Sequence, residues 1–383
     1  MTEPIISIAM TSPPFLPFTR PSIDESTIAE VAKVLRSGWL TGGPKVLEFE
    51  AALSRYCQGR TVRTFNSGSA ALTIALRLAG IGPEDEVLTS PLTWVATPNV
   101  VLEVGARPVF VDVDPVSRNI DLSAVEANVG PRTRALLPVD LAGLPVDRER
   151  LYAIASKHRL RVIEDAAQSL GAQWHGQPIG AFGDFVAFSF HANKNITTGE
   201  GGALVIPDDI DSALCERMRL QGVFRNQNGD MDVDIRGTKS NLTDIAAAIG
   251  IGQLERLSEL TRRRRELARY YFECIRRDMG LDLPAADFVQ SNWHMFQVLL
   301  PIGTDRRAFI EDMKTEGIGV GVHYPAAHLF TLYRNLGYAP GDFPVAEDIG
   351  RRTVTLPLFA AMSHADVQRV CIALEKTLLS AGF

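Results

Sequence analysis

Cysteine is scarce: the 383 residues contain four, Cys57, Cys215, Cys274 and Cys371, set far apart. That scatter matches no metal-ligand spacing and no disulfide framework, which excludes a zinc-built site and a disulfide-stapled scaffold. The four read as small buried apolar groups in a reducing compartment. Positive charge is not in excess either, and a formal net charge of −6 argues against a general nucleic-acid binder. No apolar run reaches the length of a membrane span. The stretch from Ile5 to Met10 is brief, is followed by prolines and lacks a basic n-region, so a signal peptide is not expected and the cytoplasm is. Glycosylation of the sequons at Asn195 and Asn241 is accordingly not expected. Internal repeats, low-complexity linkers and a Walker pattern are also missing, and Gly317-Ile-Gly-Val-Gly321 lacks the spacing of a dinucleotide fingerprint.

What is present is concentrated between Phe185 and Leu204. The run Phe185-Val-Ala-Phe-Ser-Phe190 predicts a buried strand, because strands covered on both faces lose polar alternation. It delivers Lys194 into a turn rich in Thr and Gly, where α/β folds place their chemistry. Glycines at 199, 201 and 202 would let backbone approach a ligand closely. A second predicted strand, Arg161 to Glu164, leads into Asp165 and Gln168. An acid at that position either caps the next helix or faces a ligand. Paired with a strand-end lysine, it suggests pyridoxal phosphate, which needs a lysine for its Schiff base and a carboxylate facing its pyridine nitrogen. A third piece is the polar turn Asn66-Ser-Gly-Ser69 before the predicted helix Ala70 to Ala79. Free N–H groups at a helix start attract an anion, although the same turn could simply cap the helix.

These residues resemble the DegT/DnrJ/EryC1/StrS family of sugar-nucleotide aminotransferases, over Phe15 to about Phe359. The motifs that carry the resemblance are Phe15-Leu-Pro-Phe-Thr-Arg-Pro-Ser22, Ser37-Gly-Trp-Leu-Thr-Gly-Gly-Pro44, Ser90-Pro-Leu-Thr-Trp-Val-Ala96 and Glu164-Asp-Ala-Ala-Gln168. Ser189-Phe-His-Ala-Asn-Lys194, Thr198-Gly-Glu-Gly-Gly202, Asn241-Leu-Thr-Asp244 and Val322-His-Tyr-Pro-Ala-Ala-His328 complete them. Within the family the chain is most similar to the UDP-4-amino-4-deoxy-L-arabinose aminotransferase subgroup.

The resemblance implies a type I pyridoxal-phosphate aminotransferase fold. Residues 1–250 would form a large domain with a mostly parallel seven-stranded sheet between helices, its N-terminal segment contributing to the substrate site. Residues 251–383 would form a smaller C-terminal α+β domain. By the same resemblance Lys194 carries the cofactor and shuttles the proton, Asp165 pairs with the pyridinium nitrogen, and Gln168 lies near the phenolic oxygen. Trp94 stacks on the ring, and Gly68, Ser69 and Ser189 bind the phosphate. Asn241 reaches that phosphate from a partner subunit, which implies a homodimer. His191, Glu200, His323 and Tyr324 fall on the sugar or nucleotide side, and no metal is implied. The implied reaction moves an amino group from L-glutamate to C4 of a keto sugar nucleotide, with two half-reactions at one site.

Departures from the pattern are Asp140 and Gln221, where many relatives have histidine, and Ser240, where an aromatic is frequent. The loop from Phe224 to Thr238 is also short for the arabinose subgroup. These positions are expected near the sugar or the dimer seam. Rival readings are a cyclitol or other non-nucleotide ketone as acceptor, a non-catalytic pyridoxal-phosphate-binding protein, and a sugar dehydratase. The dehydratase reading is opposed by Lys194, since those relatives replace the lysine by histidine.

Short apolar strands alternate with helical patterns from about residue 25 to 205, as in a mostly parallel sheet covered by helices. Predicted strands are 86–88, 108–113, 135–139, 161–164, 185–190 and 203–206, with Asp140, Asp165 and Ser189 at carboxyl ends that converge on one crevice. A long helix is expected over 254–278, with an apolar seam of Leu257, Leu260, Leu267, Tyr271 and Cys274. Its basic run, Arg262 to Arg265, is expected to be a solvated face with local ion pairs. The segments 296–300 and 319–323 suggest the small α+β unit.

Overall fold

The computed structural model describes residues 14–380, so the Ile5–Met10 segment lies outside the described residues. Strands in chain order are β1 Thr61–Phe65, β2 Glu86–Thr89, β3 Arg107–Phe110, β4 Thr133–Leu137, β5 Arg161–Asp165, the short hairpin β6 Gln173–Trp174 and β7 Gln177–Pro178, β8 Phe185–Ser189 and β9 Gly202–Ile206. Seven of them form one sheet in the order β1-β9-β8-β5-β4-β2-β3. Pairing is parallel from β3 through β8 and antiparallel where β9 joins β8 and β1. The fold class expected from the sequence is therefore observed.

Burial explains why β8 reads as a continuous apolar run. Phe185 and Ala187 pack with Leu72, Ile74 and Leu76 of helix Gly68–Leu78 on one face. Val186 and Phe188 pack with Val46, Phe49 and Leu53 of helix Pro44–Tyr56 on the other. Both faces are covered, so neither alternate set can be polar. Of the seven strands in this sheet, the one missed by the sequence reading is β1. It lies at the sheet edge, paired only with β9, and its sequence Thr-Val-Arg-Thr-Phe mixes polar residues into an apolar pattern. Outside this sheet, the short β6 and β7, the pair Val223–Arg225 and Met231–Val233, and the buried strand Thr353–Leu356 were also not anticipated.

The C-terminal part has its own core. Two strands, Phe296–Leu299 (β12) and Thr353–Leu356 (β13), pair antiparallel after an exposed hairpin, Val223–Arg225 (β10) with Met231–Val233 (β11). Tyr271, Phe296, Phe309, Met313, Val370 and Leu374 fill the space between β12, β13 and the helices Leu257–Cys274, Arg306–Thr315 and His364–Ser380. Of the expected 319–323 strand, only Gly321 pairs, bridging to Thr355. The helix expected over 254–278 is two helices, Asp244–Glu255 and Leu257–Cys274, separated at Arg256. Its apolar seam is as expected, with Leu257, Leu260, Leu267 and Tyr271 buried.

The basic run on that helix is not a uniformly solvated face. Arg262 is exposed and pairs with Glu266, but Arg264 is buried and donates to the carbonyls of His294 and Leu358. Arg265 reaches Ser291 O and Val289 O. The helix turns successive residues by about 100°, so four adjacent arginines cannot share one environment. The inner ones tie the helix to loops through main-chain oxygens.

Asp140 is a second correction. It does not join the crevice but accepts from Arg148 Nη2 at 2.7 Å and from Ser169 Oγ at 2.7 Å, in a buried network where Arg148 also meets Glu164 at 2.8 Å. Burial opposes the Arg148 charge, but Asp140 and Glu164 outweigh it and hold its pKa above the usual range. Removing one partner of such a cluster strands the other charges away from water. Arg148→Met should cost roughly 3–5 kcal/mol, seen as a clear drop in the thermal midpoint of the apoprotein; an unchanged midpoint would show that the network is not a structural tie.

Candidate active site

The register of β5 against β8, with Asp165 opposite Ala187, puts the acid and the lysine turn on neighbouring strand ends. After β8 the chain folds back sharply. Thr198 N–H donates to Phe190 O at 2.9 Å, Thr197 Oγ1 donates to the same oxygen at 3.0 Å, and Lys194 N–H donates to His191 O at 2.9 Å. Gly199, at φ 83°, permits this reversal. Lys194 is thus carried into a cleft of about 490 Å³ whose lining also includes Asp165, Gln168, Trp94, Ser189 and His323.

The third component is the start of helix Gly68–Leu78. Ser67 caps it by accepting from Ala70 N at 3.1 Å, which leaves the N–H groups of Gly68 and Ser69 at the cleft wall. The helix start sits directly on the sheet. A Cβ on Gly68 would lie 2.9 Å from Ser189 Cβ, and one on Gly202 would lie 2.5 Å from the Ser67 carbonyl carbon. Gly202 therefore makes room for the Ser67–Gly68 backbone rather than for a ligand, which corrects the expectation for that glycine.

Of the predicted site residues, Gly68, Ser69, Trp94, Asp165, Gln168, Ser189, Lys194, His191, Glu200, His323 and Tyr324 all line this one cleft. Asn241 does not. Its carboxamide accepts from Lys239 Nζ and lies 3.5 Å from Thr41 Oγ1, outside the lining. Gln221 and Ser240 also lie outside it; Ser240 is buried against Thr238, with 2.8 Å between hydroxyls. Lining residues the sequence reading did not single out include Thr93, Asn193 and Val322, each embedded in a motif already noted. Thr97, behind the wall, was missed because a helical threonine has no distinguishing pattern.

Electrostatics follow from enclosure. Burial lowers the Lys194 pKa to about 8, with Asp165 pulling the other way. Burial raises the Asp165 carboxyl, opposed by hydrogen bonds from Thr97 Oγ1 (2.7 Å) and Ala167 N (3.2 Å). His323 is pushed down to about 4 by burial and by Lys194, and its Nδ1 is 2.8 Å from Thr355 Oγ1. It stays neutral through the physiological range. Gln168 Oε1 accepts from Ala142 N at 2.8 Å, leaving its NH₂ end for the cleft. His191 is exposed, 2.8 Å from Asn193 Oδ1 and 3.7 Å from Glu200. Trp94 is 59% exposed, an unusual position for a large aromatic unless a ligand covers it.

These residues fit pyridoxal phosphate. An enclosed amine of lowered basicity can carry it, a buried carboxylate held by two donors can face its ring nitrogen, and an uncovered helix start can take its phosphate. No group of three or more His, Cys, Asp or Glu among the described residues could hold a metal ion. No helix among them is long and apolar enough to cross a membrane.

Fold and cleft together define a pyridoxal-phosphate-dependent aminotransferase of fold type I. The DegT/DnrJ/EryC1/StrS aminotransferase family model matches residues 21–375, and the chain belongs to that family. It is 38% identical over 381 residues to the spore coat polysaccharide biosynthesis protein SpsC of Bacillus subtilis, covering 96% of this chain and 98% of that protein. Identity to the UDP-4-amino-4-deoxy-L-arabinose–oxoglutarate aminotransferase of Shewanella sediminis is 36% over 381 residues, covering 94% of this chain and 98% of that protein. Among solved structures, Spr1654 of Streptococcus pneumoniae in its PMP form superposes with a TM-score of 0.90 at 31% identity, covering 95% of this chain and 99% of that one. The same protein has been solved in a PLP form. The enzyme thus uses pyridoxal phosphate to transfer an amino group to a sugar.

With an amine of lowered pKa, capture of the cofactor should follow the free-amine fraction. Apoprotein mixed with pyridoxal phosphate should react at a rate that rises with pH through about 8; a midpoint near the ordinary lysine value of 10.5 would show that the reacting amine is not the enclosed one.

Proposed function

We propose that this enzyme transfers the amino group of L-glutamate to C4 of a keto sugar carried on a nucleoside diphosphate. The observation that supports the reading most directly is the placement of Lys194, Asp165 and the Gly68–Ser69 helix start around one cleft. When bound, pyridoxal phosphate supplies the electron sink that makes a substrate Cα–H bond acidic. Lys194 Nζ, whose pKa burial lowers to about 8 so that more of it is the free amine than in an ordinary lysine, would take the proton from Cα of the donor and return it at C4′ of the cofactor. In the second half-reaction the same amine moves a proton in the reverse sense, to the sugar carbon that gains nitrogen. Asp165 would keep the ring nitrogen protonated. Gly68, Ser69 and Ser189 would hold the phosphate, Trp94 would lie against the ring, and Gln168 would face the phenolic oxygen.

His191, Glu200, His323 and Tyr324 line the same cleft and are proposed to meet the sugar and its carrier. Residues 1–250 are proposed as the cofactor-holding unit and 251–383 as the smaller unit. Because Asn241 lies outside its own chain's cleft, we assign it to the phosphate of a partner subunit in a homodimer. The relatives' names favour the nucleotide-linked acceptor over a cyclitol: one is a UDP-sugar aminotransferase. Cys57, Cys215, Cys274 and Cys371 are free thiols, in keeping with a cytoplasmic enzyme.

Adding L-glutamate to holoenzyme should convert the cofactor absorbance to that of the amine form, and Lys194→Ala should abolish turnover by several orders of magnitude. An unchanged spectrum would count against the donor, and a Lys194→Ala protein that still turns over would sink the mechanism. Offering UDP- and dTDP-linked keto sugars beside a cyclitol ketone, with the product carbon identified by NMR, decides the acceptor.

A further inference from the structure

Behind the cleft wall, Asp165 is held by a directed pair of hydroxyls. Thr97 Oγ1 donates to Asp165 Oδ2 at 2.7 Å, and Thr93 Oγ1 lies 2.8 Å from Thr97 Oγ1. A threonine hydroxyl carries a single proton. That of Thr97 is committed to the carboxylate, so Thr93 must be the donor to Thr97. The order is therefore Thr93 to Thr97 to Asp165. Thr93 is 1% exposed and Thr97 0%, so water cannot substitute for either hydroxyl. Asp165 and Thr93 line the cleft, whereas Thr97 does not. It acts on any ligand only through the acid.

The same turn serves two purposes. Thr97 N–H donates to Trp94 O at 3.1 Å at the start of helix Ala96–Glu103, so one turn sets Trp94 on the cleft wall and Thr97 behind Asp165. The carboxylate needs this support. Taken out of water, a carboxylate tends to take up a proton, and a protonated acid cannot accept from a pyridinium N–H. Burial raises the Asp165 pKa; Thr97 leads the opposing influences, followed by the Ala167 N–H and Lys194, while Asp140 adds to the upward push. Lys194 is across the cleft and Ala167 N–H contributes a longer bond of 3.2 Å. Thr97 supplies the short one.

We propose that Thr97, backed by Thr93, is a positioning residue that keeps Asp165 ionised and aimed at the cofactor's ring nitrogen. The inference rests on the assignment of Asp165 made above. It also gives the bend before helix Ala96–Glu103 a purpose: it brings Thr93 Oγ1 back to 2.8 Å from Thr97 Oγ1.

The test compares Thr97→Val, which keeps the shape and removes the donor, with Thr97→Ser, which keeps the donor. Apoproteins are titrated with pyridoxal phosphate, the absorbance of the bound cofactor is followed against pH, and apoprotein thermal midpoints are recorded alongside. Thr97→Val should weaken cofactor binding about tenfold or more, the scale of one hydrogen bond to a charged group. Its absorbance should change with pH in a range where the native spectrum is flat. Thr97→Ser should stay within about threefold of the native constant, and Thr93→Val should fall between. If Thr97→Val binds and titrates like the native protein while Asp165→Asn is impaired, the inference fails and the role of Asp165 stands. If Asp165→Asn itself keeps native affinity and spectrum, the role of Asp165 fails and takes the inference with it. A Thr97→Ser protein as impaired as Thr97→Val would also overturn it, because the donor would then not matter. Should Thr97→Val fail to fold, Thr93→Val decides alone, and native affinity in that variant overturns the proposal.

Discussion

A half-buried amine after β8 and a buried carboxylate at the end of β5 are the constraint around which this molecule is arranged. Neither is at ease there. Burial lowers the pKa of Lys194 and raises that of Asp165, so each is pressed toward its neutral form. For the lysine that pressure is useful on the proposed mechanism, in which the free amine would move protons. For the acid it is harmful on the proposed mechanism, in which the ionised form would face a pyridinium. The surroundings answer asymmetrically: Asp165 receives donors from Thr97 and Ala167, while the basicity of Lys194 is left to burial and the attraction of Asp165 alone.

The rest of the large sheet serves that arrangement. Parallel strands place their carboxyl ends on one side, and register fixes which residues reach the cleft. Gly68 and Gly202 allow the helix start to press against β8 and β9, closer than any side chain would permit. The buried Asp140–Arg148–Glu164 cluster lies on the same strand ends as the site yet points away from it. Alternation along β5 separates them, for Glu164 and Asp165 are consecutive and must face opposite sides. Adjacent acids thereby acquire unrelated tasks.

The C-terminal unit contributes a wall of the cleft through Val322, His323 and Tyr324. His323 is anchored on β13 by Thr355, and its carbonyl accepts from Gln297 on β12. Gly321 leaves room beneath the imidazole, since a Cβ there would lie 2.6 Å from His323 Cε1. The neutral ring can take part in hydrogen bonding without adding charge beside Lys194.

Much of this was legible in the chain itself. Buried strands announce themselves by apolar runs, so β5, β8 and β9 were readable, and strand-end Asp165 and Lys194 with them. The edge strand β1 was not, because an edge strand half-open to solvent keeps polar residues and loses the apolar signal. The Arg262–Arg265 run and Asp140 misled for a related reason: sequence reports which charges exist, whereas burial and partners are set by elements distant along the chain. Local composition and periodicity thus determined the strand-and-helix alternation and pointed to the chemistry-bearing pair, while the family was legible only through the resemblance of its motifs. Only tertiary structure decided which side chains share the cleft, which acids turn inward to Arg148, and that a pair of threonines stands behind Asp165, because those facts depend on register and packing between segments that the linear order keeps apart.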